Sequence, residues 1–193
     1  MPTGVALHDP RQQLFDAAGR VLVRDGASEL TSRAVTAEAG VAKGVLHRYF
    51  TDFDGFLTEL VLDRIARAEA SPLPGAAGTG TVVGNLTTAL VAGFDPVAIA
   101  IIVLVIARDE LRRRLRAAGT ARLPLVGEVT AVVARYLAAE RDLGRIAPDA
   151  DVDTLAPTLI GAAHLRFTER KDDPEAPEAV RGVVAAVLAG VLR

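Results

Sequence analysis

Apolar residues recur along this chain three and four positions apart, a spacing that gathers them on one face of a helix, and the pattern predicts an all-α fold. Asp9-Pro10 supplies an N-cap followed by proline at the first helical position, with Gln12 at the capping-box distance. Leu14, Phe15, Ala18, Val21 and Leu22 then form a stripe that ends before Gly26. Met1 to His8, ahead of it, read as a loose arm. Thr31 opens a short second helix with Val35 and Ala39 on one face. Gly40 lets the chain reverse, Val41 plugs the turn, and a third helix starts near Ala42 with Leu46, Tyr49 and Phe50 inward. Thr51-x-x-Asp54 has capping-box spacing, and a longer helix follows with Phe53, Phe56, Leu57, Leu60, Val61 and Ile65 on one face. The prolines and glycines of SPLPGAAGTG, Ser71 to Gly80, then make a loop.

Every periodic segment from Thr81 onward is also helical. Thr81 to Phe94 carries Leu86, Leu90 and Phe94, and Pro96 to Ala107 is apolar on all sides, which predicts a central position. DELRRRLR, Asp109 to Arg116, mixes signs at helical spacing and reads as a solvated helix face. Leu125 to Leu137 repeats Val126, Val129, Val133 and Tyr136. The last two helices fall near Asp151 to Phe167 and Glu178 to Leu192, on either side of the polar break ERKDDPEAP. Val180, Val183, Val184, Val187, Leu188, Val191 and Leu192 form a long stripe there, and Gly161, Ala162, Gly182 and Gly190 permit close helix approach. This is more apolar surface than one subunit needs, and it predicts a homodimer in which the last two helices pair with their copies as a four-helix bundle. The alternative is that both stripes are covered within one chain.

The segment TSRAVTAEAGVAKGVLHRYF, Thr31 to Phe50, carries the candidate chemistry. With Leu46, Tyr49 and Phe50 turned inward, its second helix presents Lys43, Gly44, Val45, His47 and Arg48: two cations, a histidine and no acid. A short helix of this kind fits a DNA major groove, where side chains reach base edges and the first backbone N–H groups face phosphate. A helix pair joined by glycine is also an ordinary corner of an all-α protein.

Order and context favour the first. LTSRAV at Leu30 to Val35, AEAGVAKGVLHRYF at Ala37 to Phe50 and an apolar helix start at Phe56-Leu57, near the N-terminus of a chain of this length, resemble the DNA-binding motif of the TetR-type (tetracycline-repressor-like) transcriptional regulators. The motifs cover about the first third of the chain, and the rest is similar to the family in helical pattern alone. The resemblance implies a three-helix helix-turn-helix domain over residues 1–52 and a helical ligand-binding and dimerisation domain over 53–193, joined through a connecting helix at 53–70. It implies a dimeric, sequence-specific transcriptional regulator, a repressor released from a pseudo-palindromic double-stranded operator by a small-molecule effector. The residues matching its DNA-contacting positions are Thr31, Ser32, Arg33, Ala42, Lys43, Gly44, Val45, His47, Arg48 and Tyr49. Departures matter too. The family commonly has Ser-Lys-Gly-Thr-Leu-Tyr where this chain has Ala42, Lys43, Gly44, Val45, Leu46 and His47, so two hydroxyls and a phenol are gone. Thr36 replaces a usual Ala, and Phe53 stands where a Lys often grips phosphate.

Composition narrows the remaining classes. At 50% hydrophobic and 24% charged, 193 residues make a globular chain. The absence of Cys removes disulfides, thiolate metal sites and cysteine nucleophiles and fits a cytoplasmic protein. No secretion signal is evident, and the longest apolar run, Val97 to Ala107, is too short to span a bilayer. The net charge of −2 argues against a broad basic field. Residues 1 to 50 nevertheless hold six cations (Arg11, Arg20, Arg24, Arg33, Lys43, Arg48) against five acids (Asp9, Asp16, Asp25, Glu29, Glu38). DNA affinity then rests on a few placed contacts. Arg11 is one that could reach phosphate, although a solvated arginine is the plainer reading.

Helix faces of the second domain suggest Leu90, Phe94, Ile102, Ile106, Val129, Tyr136, Leu159, His164 and Phe167 as pocket residues, each also readable as plain core. With 4% aromatic residues and no Trp, such a pocket suits an aliphatic or modestly polar compound. No catalytic, metal or cofactor site is read. GAAGTG lacks the Lys-Ser/Thr of a phosphate loop, His8, His47 and His164 are scattered, and DADVD lacks the Gly and closing Glu of a calcium loop. A helical small-molecule-binding protein with weakened or lost DNA binding remains as the alternative, and an all-α enzyme ranks last.

Overall fold

Capping side chains set where most helices of the chain begin. The computed structural model describes residues 9–169 and 176–193, and the arm at Met1 to His8 and most of the polar break before the last helix lie outside them. Helix α1 is Pro10–Asp25, capped by Asp9, whose carboxylate accepts from the N–H groups of Arg11 and Gln12 at 3.0 and 3.1 Å. The capping box expected there does not close, because Gln12 donates instead to Asp16 on the next turn at 2.7 Å. Helices α2, Ser32–Glu38, and α3, Gly44–Tyr49, follow the predicted course, and α4 is Phe53–Glu69. Its N-cap is Asp52 in place of the expected Thr51.

A single 3-10 turn, Leu73–Ala76, interrupts the predicted loop. Then come α5, Val82–Gly93, capped by Thr81; α6, Pro96–Ala107, capped by Asp95; α7, Asp109–Ala117; α8, Val126–Asp142; α9, Val152–Glu169; and α10, Ala176–Leu188. Among the described residues every regular element is helical, with one isolated bridge between Ile146 and Leu192. None of these helices is long and apolar enough by itself to cross a membrane. In DADVD, Asp151 accepts from both the N–H and the hydroxyl of Thr154, which is a helix cap.

Packing divides the helices into two groups that share α4. Helix α1 packs on α2, α3 touches α2 and α4, and α4 runs on to lie against α7 and α8. In the larger group α8 packs on α9, and α10 on α5 and α9; α6 reaches back onto α1. Two expectations change here. Helix α6 is not wholly central, since Val103 and Ile106 are 52% and 62% exposed: α1 covers only part of an all-apolar surface. The stripe of the last helix is covered in part within one chain: Val180, Val184 and Leu188 are fully buried against α5 and α9, Val183, Val187 and Val191 are half-buried, and Leu192 is exposed.

A buried carboxylate holds the 71–80 loop. Glu140 on α8 is 0% exposed, receives the Tyr136 hydroxyl at 2.6 Å and the Gly78 N–H at 3.3 Å, and pairs with Arg145 at 3.3 Å. Asn85 donates to Tyr136 at 3.1 Å and to the Thr79 carbonyl at 2.9 Å, and Arg145 donates to the Gly80 carbonyl at 2.7 Å. Burial, and then the adjacent Glu140, push the Tyr136 phenol well above its ordinary value, so it stays a donor. Removing one partner of a buried pair strands the others. Glu140→Ala is therefore expected to cost about 3 kcal/mol of unfolding free energy, and Glu140→Gln, which can still accept from Tyr136, less. Urea unfolding of the three proteins checks this, and equal midpoints would remove the network from the account of stability.

Candidate nucleic-acid interface and internal cavity

The Thr31 hydroxyl accepts from the Ala34 N–H at 3.1 Å and starts α2. Gly40 closes the turn at φ +67°, a left-handed conformation that suits glycine. The unit is tied to α1 by side chains: Gln13 donates to the Ala39 carbonyl at 2.9 Å, and Glu38 receives Arg20 and Arg24, each at 2.7 Å. Those two arginines, Arg20 first, hold the Glu38 carboxyl below its usual range. Thr36, unusual by resemblance, is buried without an unmet group, since its hydroxyl donates to the Ser32 carbonyl at 2.9 Å.

Helix α3 is anchored by rings. Leu46 and Phe50 are buried, and Phe50 meets Phe15 and Phe56 at centroid distances of 5.7 and 5.0 Å. Arg11 clasps the end of this helix. It donates to the Tyr49 carbonyl at 3.4 Å, lies 4.8 Å from the centre of the Phe50 ring and pairs with Glu59 of α4. It is thus neither a simple solvated arginine nor a spare phosphate contact.

The outward face that remains carries Ala42, Lys43, Gly44, His47 and Arg48, all exposed, with Val45 and Tyr49 half-buried beside them. Thr31 and Arg33 are exposed on α2 and its cap, and Ser32 is half-buried. Of the six cations in this region, Arg11, Arg20 and Arg24 are neutralised by Glu59, Glu38 and Asp25. Among the described residues no acid pairs with Arg33, Lys43 or Arg48. The small local excess of positive charge is therefore concentrated where α2 and α3 face outward. Such a face can meet phosphate through its cations and present His47 to base edges.

The charged cluster read as a solvated face is in part an inter-domain clamp. Arg114 on α7 grips Asp52 through both guanidinium nitrogens, at 2.9 and 3.0 Å, while Glu110 steadies it from the preceding turn at 2.8 Å. Arg108 donates to the Leu30 carbonyl at 3.3 Å, stands 3.9 Å from Asp54 and lies 5.8 Å from the Phe53 ring centre. Phe53 itself stacks on Phe56 at 5.7 Å. Helical periodicity makes these arginines surface residues but says nothing of which surface they meet. The fork of Arg114, followed by the Gly55 N–H, holds the Asp52 carboxyl below its usual range, and Arg114 and Arg113 do the same to Glu110.

A cavity of about 410 Å³ lies between α4, α5 and α8, within the range of about 300–1,000 Å³ usual for small-molecule sites. Its walls include Leu73, Leu90, Leu125, Val129, Val132 and Val133, and Arg64, Arg67 and Asp95 are its charged lining residues. Burial, and then neighbouring Arg67, lower the pKa of Arg64, which pairs with Asp95. Of the residues suggested from helix faces, Leu90 and Val129 line this space. Phe94, Ile102, Tyr136 and Leu159 are buried outside its lining. His164 and Phe167 surround Phe94, with ring centroids 5.7 and 5.6 Å from it. Ile106 faces away, exposed near the end of α6, and is withdrawn as a pocket residue. Sequence reading missed Arg64, Asp95 and Leu125. Leu125 has φ +71°, a strained conformation for a branched side chain that no periodicity reveals. Among the described residues no three His, Asp or Glu side chains group to hold a metal ion.

Residues 14–60 match the family model described as bacterial regulatory proteins, tetR family. No curated protein sequence matches the chain. Among solved structures, SmeT, the repressor of the Stenotrophomonas maltophilia multidrug efflux pump SmeDEF, aligns with a TM-score of 0.68 at 16% identity over 96% of this chain and 92% of its own. The fatty acid degradation regulator FadR from Bacillus halodurans aligns with a TM-score of 0.71 at 17% identity, over 94% and 99%. The multidrug binding protein EbrR, solved with imidazole, gives 0.59 at 24%, over 93% and 95%. At these identities the likeness to solved structures is one of fold.

The clamp predicts acid sensitivity with a definite sign. Carboxyls whose folded pKa lies below the unfolded value contribute stability that is present above the unfolded pKa, about 4, and is lost as pH falls through the folded one. Thermal midpoints are expected to be flat above about pH 5 and to fall below about pH 4. Asp52→Asn, which keeps a competent N-cap but no charge, should flatten that fall. A variant profile parallel to wild type would remove the clamp as its source.

Proposed function

From the match of residues 14–60 to the tetR family of bacterial regulatory proteins, we propose that this chain is a dimeric, sequence-specific transcriptional repressor released from a pseudo-palindromic operator by a small molecule. The observation that carries the reading is the charge pattern on the helix pair: Arg33, Lys43 and Arg48 lack acidic partners among the described residues, while the other cations of the domain are tied inward. Lys43 and Arg48 serve as phosphate contacts, and His47 reads bases, with Thr31, Ser32, Arg33, Ala42, Gly44, Val45 and Tyr49 completing the surface.

Dimerisation through α9 and α10 is supported by their outer faces. Gly161, Gly182, Ala185, Ala186 and Ala189 are exposed and small, and Leu165 is 57% exposed beside them. Two reading helices related by a dyad then meet half-sites about one helical turn apart or a multiple of it. The effector site is the cavity, whose wall includes α4. A ligand that binds better when α4 is displaced shifts the population toward the DNA-incompetent state. A ligand-binding protein with weakened DNA contact is the second reading, favoured by the engagement of Phe53 with Phe56 and Arg108.

Gel-shift titration of the purified protein against DNA flanking its own gene, at two salt concentrations with a random fragment as control, tests the first reading. A specific, salt-sensitive complex is expected. Lys43→Ala should weaken binding to every sequence and reduce the salt slope by about one, whereas His47→Ala should chiefly change which sequence is preferred. Identical sequence preferences for wild type and His47→Ala would sink the readout role. Equal, weak binding of flanking and random DNA would mean only that the fragment is no operator. Tight small-molecule binding with no salt-dependent DNA affinity after selection from random sequences would favour the second reading.

A further inference from the structure

We infer that the cavity takes an apolar molecule bearing a single carboxylate, and that this carboxylate displaces Asp95 from Arg64. The inference rests on the proposed reading of the cavity as the effector site and deepens it. Leucine, valine and alanine side chains make just over half of the wall, Ser71, Asn85 and Thr88 add neutral polar groups, and the charged lining residues are Arg64 and Arg67, one turn apart on α4, and Asp95, which pairs with Arg64. Asp63, the neighbour of Arg64 on α4, lies outside the cavity lining and is engaged by Arg67 at 2.9 Å.

The sign of the ligand follows from what each partner loses when the pair opens. Arg64 is the more enclosed member, its side chain 22% exposed against 35% for Asp95. A ligand cation taking Asp95 would leave a guanidinium facing apolar walls with no counter-charge, which is the costly outcome. A ligand carboxylate taking Arg64 replaces one anion by another and releases Asp95 toward water. Asp95 keeps its structural work in that exchange, because it caps α6 through Oδ1, 2.9 Å from the Ala98 N–H, whereas Oδ2 is the atom that meets Arg64. The guanidinium fork suits the planar, two-oxygen acceptor of a carboxylate.

The same pair lies where α4 and α1, both part of the DNA-reading unit, meet the second domain. Asp95 joins α4 to the first turn of α6. Two residues on, Val97 packs so closely on α1 that a Cβ at Gly19 would come within 3.2 Å of its Cγ1. A carboxylate on Arg64 unties α6 from α4 while leaving it on α1, so the head group acts at the joint that sets the helix pair.

Calorimetric titration of the full chain with decanoate, decan-1-ol and decylammonium, each below its aggregation concentration, tests this. Decanoate is expected to bind, the alcohol about tenfold or more weakly, and the cation more weakly still. Asp95→Asn, which keeps the cap and removes the competing charge, should tighten decanoate several-fold and leave the alcohol unchanged. Arg64→Met, checked for native helix content, should bring decanoate down to the level of the alcohol. Equal affinity of acid and alcohol for wild type, tighter binding of the cation, or weaker decanoate binding by Asp95→Asn would each overturn the inference. Adding the three probes to a formed protein–DNA complex separates the two levels. Decanoate that binds as expected yet leaves the complex intact would overturn the effector reading alone. Release by a compound that binds the cavity, with no decanoate binding, would overturn the carboxylate assignment alone.

Discussion

One carboxylate, that of Asp52, organises the joint between the two halves of this molecule. It starts α4 by accepting from the Gly55 N–H, and it is gripped in the same position by the fork of Arg114 from α7. A helix cap is local and directional, and a bidentate guanidinium contact is planar, so the two together define both the position and the orientation of the α4 N-terminus. Helix α3 follows, because Phe50, at its end, is packed against Phe56 on the first turn of α4 and against Phe15 on α1. Displacement of α7 would therefore reach the outward helix face through rigid contacts.

Charge is organised by the same economy. A chain with a net charge of −2 has no broad basic surface to offer, and half of the cations in its first fifty residues serve the internal structure. Arg20 and Arg24 hold α2 to α1 through Glu38, and Arg11 holds the end of α3 to α4 through Glu59. What remains for a polyanion is small and concentrated, a design in which affinity depends on a few contacts and falls steeply with salt.

The cavity sits on α4 beyond this joint. Its apolar walls come from three helices and a loop, and that loop is kept in place by the Glu140 network beneath it. The cavity wall and the N-terminal helix group therefore share one long helix, which Arg114 ties to α7 at its start and Asp95 ties to α6 further along.

Much of the fold was legible in the order of residues. Three-and-four spacing marked the helices, Asp9 and Thr31 announced where two of them begin, Gly40 announced the reversal, and the run from Thr31 to Phe50 carried enough motif to identify the helix pair. These features act between residues a few positions apart, where backbone geometry and side-chain reach leave few alternatives. Tertiary structure decided the rest. Which surface Arg108 and Arg114 meet, which side of α6 stays exposed, how much of the stripe of α10 its own chain covers, that Arg64 and Asp95 face one cavity and that Glu140 is buried all depend on residues far apart in sequence. Periodicity states which face of a helix is apolar or charged. Only the packing of helices against one another states what that face touches.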